Sequence, residues 1–288
     1  MLIYLNGQFI SKEDARISPF DHGFLYGIGL FETFRVYDGH PFLLDDHMER
    51  LNQGLAELSI QQQYTRKEIK NILQELLEKN QLTNAYIRLN VSAGLGEVGL
   101  QVEPYLQPNL IIFPKPLPPA GELIEKKAVL LKVKRNSPEG NQRLKSHHYL
   151  NNVLAKREIG DFPDVEGIFL NEQGFLAEGV VSNLFWIKGN VLYTPAVHTG
   201  ILNGITRQFA IHLGRKNNLQ VKEGFYSIEQ ALEADEMFVT NSIQEIVPIS
   251  HFEGQNLPGK KGQRVQQLHK DYRHYSTSLW SRHSIGRE

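Results

Sequence analysis

The sequence predicts an α+β fold with mixed sheets, divided into two domains. Three observations carry this expectation. Strand-like runs come in hairpins instead of alternating strictly with helices, which disfavours a doubly wound fold. Two amphipathic helical segments follow each other in the first half of the chain. A stretch reading "FPKPLPPAGEL" then breaks the pattern with four prolines between Pro114 and Pro119. That composition continues neither a helix nor a central strand, so 114–122 reads as a linker between domains at 1–113 and 123–288.

The elements follow in order. "LIYLNGQFI" sets Asn6-Gly7 between two alternating runs, the signal for a tight antiparallel hairpin, and "FETFRVYDGHPFLL" repeats it with Asp38-Gly39. Leu44, Met48, Leu51, Leu55 and Leu58 then recur at helical spacing. A second helix is announced by Thr65 and Glu68 as a capping box, with Ile69, Ile72, Leu73 and Leu76 along one face. "AYIRLNVSAG" returns to strand. Beyond the prolines, "AVLLKVKR" reads as a strand and "HYLNNVLAKREIG" as a helix. Two hairpins turn at Gln173-Gly174 and Gly189-Asn190. "GITRQFAIHLGRKN" is helical, "EMFVTNS" is a strand, and a last helix is expected between Lys260 and Trp280.

Bulk composition excludes several functions. Charged residues make up 22% and the formal net charge is −1, so nothing global draws the chain to nucleic acid or a membrane surface. No stretch approaches the roughly 18 apolar residues of a membrane span, and "MLIYLNGQFISKED" turns polar too early for a signal peptide. With no cysteine there are no disulfides, thiolate catalysis or cysteine-bound metal, which fits a reducing cytoplasm.

"GIGLFE" lacks both the closing Gly-Lys-Ser/Thr of a P-loop and the third glycine of a dinucleotide fingerprint. Its glycines read better as close-packing or turn residues than as a phosphate cradle. In "RLKSHHYLNN", Lys145 stands among Leu144, Tyr149 and Leu150, where an amine can lose its proton and act as a nucleophile; a surface lysine is the plainer alternative. His147 and His148 diverge too much to suggest a metal pair. Glu178, at a strand end ahead of Ser182 and Asn183, could accept from a protonated ring nitrogen or be a simple turn acid. "TGILNGITRQF" runs into a helix with Gly204 and Thr206 at its mouth, an anion site or an ordinary cap. Thr240 and Asn241 in "FVTNS" add donors. Arg50, on the polar side of the first helix, could clamp an anion or be solvated. Together these make an amine nucleophile, a ring-nitrogen carboxylate and a phosphate cup, the set pyridoxal phosphate requires.

The order and spacing of these motifs, from "YLNGQFI" to "VTNSIQEIVPI", resemble the fold-type IV pyridoxal-phosphate enzymes, which include branched-chain aminotransferases, D-amino-acid aminotransferases and aminodeoxychorismate lyases. The resemblance implies a smaller N-terminal α/β domain, a larger C-terminal mixed-sheet domain and the cofactor between them. It implies that Lys145 bonds the cofactor, Glu178 meets the pyridine nitrogen, and Arg50, Ile205, Thr206 and Asn241 hold the phosphate, with Leu202 beneath the ring. Asn241 departs from the threonine or serine associated with that position, though its amide can still donate. Within the family, "FETFR" with Thr33 is similar to the lyases, in which this hydroxyl is linked to proton handling. The expectation is therefore a cytoplasmic, homodimeric lyase that splits aminodeoxychorismate into 4-aminobenzoate and pyruvate for folate synthesis. The alternative is an aminotransferase acting on branched-chain or D-amino acids, with Arg88 or Arg143 for the substrate carboxylate.

Overall fold

The structure, a computed structural model, describes residues 1–285. It contains two compact units. One comprises Met1–Gly121, Leu144–His148 and Ser276–Glu288, and the other Glu122–Arg143 and Tyr149–Tyr275. The first break, after Gly121, lies within 114–122, and residues 144–148 and the C-terminal segment return to the first unit. Residues 144–148 join the first unit because their backbone pairs with its sheet: Phe31 N donates to Lys145 O at 2.9 Å and His147 N to Gly29 O at 3.0 Å. The C-terminal segment joins it through Leu43 N to Leu279 O at 3.1 Å and Asp45 N to Trp280 O at 3.0 Å. The last three residues of the expected 123–288 domain lie outside the described residues.

The first unit is built from β1 (Leu2–Leu5), β2 (Gln8–Ser11), α1 (His22–Leu25), β3 (Gly29–Tyr37), β4 (His40–Pro41), α2 (Leu44–Glu57), α3 (Arg66–Asn80), β5 (Ala85–Ser92) and β6 (Asn109–Pro116). Its strands form one antiparallel sheet in the order β2-β1-β6-β5-β3-β4. Both predicted hairpin turns place two consecutive residues at positive φ, Asn6 and Gly7 at 46° and 92° and Asp38 and Gly39 at 47° and 84°. Such turns match the right-handed twist of the strands they join. The Thr65–Glu68 capping box opens α3 as expected.

The proline-rich stretch is not all linker. Strand β6 continues through Pro114 to Pro116, paired with β5 as far as Ala85↔Pro116. On its other side β1 pairs at Tyr4↔Ile112 and Leu5↔Ile111, so the prolines fall beyond that pairing, where no ladder donor is required.

Alternation along the strands divides the sheet into two faces. Leu30, Phe34 and Val36 of β3 and Ile87, Leu89 and Val91 of β5 are buried in one core with Met48, Leu51 and Leu55 of α2 and Ile69, Leu73 and Leu76 of α3. Gly29, Phe31 and Thr33 belong to the opposite face, and Thr33 pairs with Arg88 across to β5.

The second unit contains β7 (Lys126–Leu130), α4 (Leu150–Ile159), β8 (Val165–Leu170), β9 (Leu176–Gly179), β10 (Asn183–Lys188), β11 (Val191–Pro195), α5 (Ile205–Lys216), β12 (Gln220–Gly224), α6 (Ile228–Leu232), β13 (Glu236–Asn241), β14 (Glu245–Phe252), β15 (Gln255–Asn256) and α7 (Gln263–Tyr275). The sheet is mixed and runs β12-β11-β10-β13-β14-β7-β8-β9, with β15 on β14. Strand β9 also pairs with β10, which closes the path from β10 through β13, β14, β7 and β8 into a ring. The closing register pair is Asn183↔Glu178. Strands β8 and β10 are buried over almost their whole length, as expected where both faces are covered. Among the described residues, no helix is long and apolar enough to cross a membrane.

Candidate active site

The two units each assemble part of the predicted set. In the first, residues 144–148 run as an extended segment beside β3. Its Lys145 Nζ lies 4.6 Å over the centroid of the Phe31 ring. Arg88 covers the same ring at 3.8 Å and donates from Nε to Asn90 Oδ1 at 2.9 Å. His147 stacks on it with centroids 6.4 Å apart. Alternation gives Thr33 the face that Phe31 occupies. Lys145, Arg88, His147 and Thr33 thus share one face of the sheet.

Gly29 makes this approach possible. A Cβ there would stand 2.5 Å from His147 Cε1 and 2.7 Å from Val91 O, so any side chain would push the 144–148 segment away. The glycines of "GIGLFE" serve close packing, one of the two uses read for them in the sequence. Burial lowers the pKa of His147, and the Arg88 charge adds to that, so the imidazole is neutral near pH 7. Its Nε2 is buried with no hydrogen-bond partner among the described residues.

Arg50, expected by resemblance to hold the phosphate and otherwise open to a solvated reading, does not lie on a solvated face. Its side chain is only 18% exposed and grips Glu32 with two donors, Nε to Oε1 at 2.8 Å and Nη2 to Oε2 at 2.6 Å. His47 Nδ1 donates to the same Oε2 at 2.7 Å. Sequence reading missed Glu32 and His47. The available signal was the acid of "FETF", which alternation places on the core side with Leu30 and Phe34.

In the second unit the ring closure between β9 and β10 positions Glu178, which is 4% exposed. Its Oε1 accepts from Arg135 Nε at 2.8 Å, and its Oε2 from Asn183 Nδ2 at 3.2 Å and Leu202 N at 3.0 Å. A carboxylate offers about four acceptor positions, so these three donors orient it and leave capacity for a ring N–H. Arg143 Nε lies 4.0 Å from the same carboxylate and donates to Gly200 O at 2.6 Å. Burial, with Arg135 beside it, lowers the Arg143 pKa to about 10. Its guanidinium thus secures the loop that carries Leu202.

Helix α5 begins at Ile205, after Gly204 as N-cap with no side-chain cap. Its first-turn N–H groups therefore have no intrahelical acceptor and present positive partial charge. A Cβ on Gly204 would stand 2.2 Å from Asn183 Oδ1, which explains the glycine. Thr206 Oγ1 lies 3.1 Å from Ser242 Oγ, so two hydroxyls meet at this helix start.

The Asn241 side chain is bonded within the turn that follows β13. Its Oδ1 accepts from Ile243 N at 3.0 Å and Gln244 N at 2.7 Å, and its Nδ2 donates to Gln244 Oε1 at 3.2 Å. The side chain builds the β13–β14 turn, while its neighbour Ser242 supplies the hydroxyl facing Thr206. Buried Lys126, paired with Glu166 at 2.9 Å, also donates to Gln244 Oε1 at 3.2 Å and fastens the turn.

The family model described as "Amino-transferase class IV" matches residues 29–252. The chain belongs to the class IV aminotransferase family. It is 47% identical over 274 residues to the aminodeoxychorismate lyase of Bacillus subtilis, covering 94% of each chain. It is also similar to the structure of the branched-chain amino acid aminotransferase from Escherichia coli, with TM-score 0.85, 28% identity and coverage of 99% of this chain and 97% of that one. The T.th. branched-chain amino acid aminotransferase complexed with N-(5'-phosphopyridoxyl)-L-glutamate matches with TM-score 0.83 and 26% identity, over 96% of this chain and 94% of that one. These matches agree with the α+β fold and the family read from the sequence.

Proposed function

We propose that this chain is a pyridoxal-phosphate-dependent aminodeoxychorismate lyase. The observation that carries the reading is the Lys145 amine 4.6 Å over Phe31, on the sheet face that alternation gives to Thr33. A lysine and a hydroxyl on one face suit a reaction in which one proton is removed and another delivered. The 47% identity to the Bacillus subtilis lyase supports this choice over transamination.

The donor set fits the cofactor. Arg50, the N–H groups of Ile205 and Thr206, and the Thr206 and Ser242 hydroxyls suit a phosphate. We assign Ser242 the donor role expected of Asn241, whose side chain is bonded within the turn. Glu178 suits a protonated pyridine nitrogen, and Leu202 the apolar face of the ring. Bound in this way, the cofactor supplies an electron sink for charge developing at the carbon that bears the substrate's amine.

The chain's own residues do the rest. Lys145 takes the proton from that carbon as general base. The neighbouring carbon–oxygen bond breaks, its electron pair leaving with the enolpyruvyl oxygen as the ring becomes aromatic. Thr33 positions or relays the proton that converts enolpyruvate to pyruvate. Arg88, 3.8 Å over the Phe31 ring, is the cation we would test first as partner of a substrate carboxylate, the role read for it under the aminotransferase alternative. The products, 4-aminobenzoate and pyruvate, account for every substrate atom, so no keto-acid acceptor is required.

The proposal extends to a cytoplasmic homodimer. In the first unit, Phe24, Leu100 and Val102 are 70%, 89% and 97% exposed. The segments that carry them are tied together by His22 N to Gly94 O at 2.9 Å and Gly99 N to Tyr26 Oη at 2.7 Å. Exposed apolar side chains of this kind suit contact with a second copy. The deciding test of function supplies aminodeoxychorismate, made in situ from chorismate and glutamine, and follows pyruvate. Glutamate formed from branched-chain or D-amino acids and 2-oxoglutarate, without pyruvate, would instead identify an aminotransferase.

A further inference from the structure

Glu32 presents a problem of cost. It is 1% exposed on the face of β3 that otherwise contributes Leu30, Phe34 and Val36 to the core. A buried carboxylate there is costly, and apolar residues of similar volume often hold a core equally well. The surroundings show what the carboxylate is attached to. Arg50 meets it with Nε and Nη2, a two-point contact that fixes the guanidinium plane as well as its position. His47, three residues earlier on α2 and itself 1% exposed, donates to Oε2 and adds a further hold on the carboxylate.

Helix α2 is restrained too. The backbone of Leu43 and Asp45 at its start bonds to Leu279 and Trp280, and Asp46 pairs with Arg282. One end of Arg50 is thus set by a fastened helix and the other by a carboxylate fixed in the sheet. A long side chain with several rotatable bonds is reduced to one orientation before any anion arrives, which removes an ordering cost from binding.

We infer that Glu32, steadied by His47, is the positioning residue that aims the Arg50 guanidinium at the cofactor phosphate and so gives this chain its preference for phosphorylated over unphosphorylated pyridoxal. The inference rests on the reading of Arg50 as a phosphate ligand. It gives the acid of "FETF" a task separate from that of Thr33: adjacent residues on a strand face opposite ways, so Glu32 serves the helix side and Thr33 the other.

The test compares binding of pyridoxal 5'-phosphate and of pyridoxal to the full-length chain stripped of cofactor, by equilibrium titration. Glu32→Gln keeps the volume but loses the charge and one acceptor. It should weaken phosphorylated-cofactor binding about tenfold, the scale of one well-aligned charge-assisted contact, with pyridoxal affinity unchanged. Arg50→Gln should lose at least as much, and the double variant no more than Arg50→Gln alone. General damage to the fold would weaken both ligands together and overturn the inference. Tighter phosphate binding by Glu32→Gln would overturn it as well, since Glu32 would then compete with the phosphate for Arg50. If Arg50→Gln loses the preference while Glu32→Gln keeps it, the phosphate reading survives and Glu32 is only a structural partner. If Arg50→Gln keeps the preference, the phosphate reading fails and takes the inference with it. Should Glu32→Gln not fold, Glu32→Asp keeps the charge but withdraws it by a methylene. It should lose the preference in part, and an unchanged preference would refute the positioning role.

Discussion

Lys145 and Thr33 reach one face of the sheet from different places in the sequence, Thr33 on β3 and Lys145 on the extended segment beside it. If Lys145 is the base, Lys145→Ala should abolish pyruvate release, and borohydride should no longer fix the cofactor to the peptide containing residue 145. Thr33→Val should lower turnover by about 10²-fold, the low end for a proton-transfer group, without changing cofactor affinity. Equal turnover in the variant would remove Thr33 from the mechanism. The Glu32 cluster makes a separate prediction for pH. Burial alone would raise the Glu32 pKa, but Arg50 and His47 outweigh burial and hold it at about 2, against an ordinary value of 4.5. A depressed carboxyl pKa adds stability that is complete above the unfolded-state value and is lost as pH falls through the folded one. On the order of 3 kcal/mol should therefore disappear between about pH 4.5 and pH 2, a loss that denaturant melts should find missing in Glu32→Gln.

At the scale of elements, the 144–148 segment depends on the bare backbone of Gly29. Gly29→Ala should displace that segment, because the new methyl would meet the His147 ring at 2.5 Å and the Val91 carbonyl at 2.7 Å. The expected result is slower covalent capture of the cofactor by Lys145, read from the growth of visible absorbance after cofactor addition. A variant as fast as the parent would show that the segment tolerates the shift. The capping box of α3 is a simpler case, and Thr65→Ala should cost about 1 kcal/mol in denaturant unfolding. Elements such as these were legible because their signals are local: a turn pair between alternating runs, a Thr-x-x-Glu start, an apolar stripe at helical spacing. The attachment of residues 144–148 to β3 was not legible, since it rests on backbone bonds between segments more than a hundred residues apart. The continuation of β6 through Pro114 and Pro116 was hidden for a related reason. Proline excludes a strand only where a ladder donor is needed, and partner strands decide that.

For the whole molecule, the family and the α+β class were readable from the order of motifs along the chain, and the match over residues 29–252 agrees. Finer assignments depended on geometry. Asn241 and Ser242 are neighbours with different bonds, one tied into a turn and the other facing Thr206, and no spacing rule distinguishes them. Periodicity alone left Arg50 open between an anion clamp and a solvated residue, because it does not reveal a carboxylate on a neighbouring strand. The proposed dimer makes its prediction at this scale: Val102→Asp, on a residue 97% exposed, should shift sedimentation toward the monomer. An unchanged sedimentation coefficient would place the interface elsewhere. The central claim is elimination without an amino-group acceptor. Its most direct measurement is the yield of pyruvate and 4-aminobenzoate from aminodeoxychorismate in the absence of any added keto acid. The account predicts equal amounts of both, formed over many turnovers; a single turnover that stops until 2-oxoglutarate is added would contradict it.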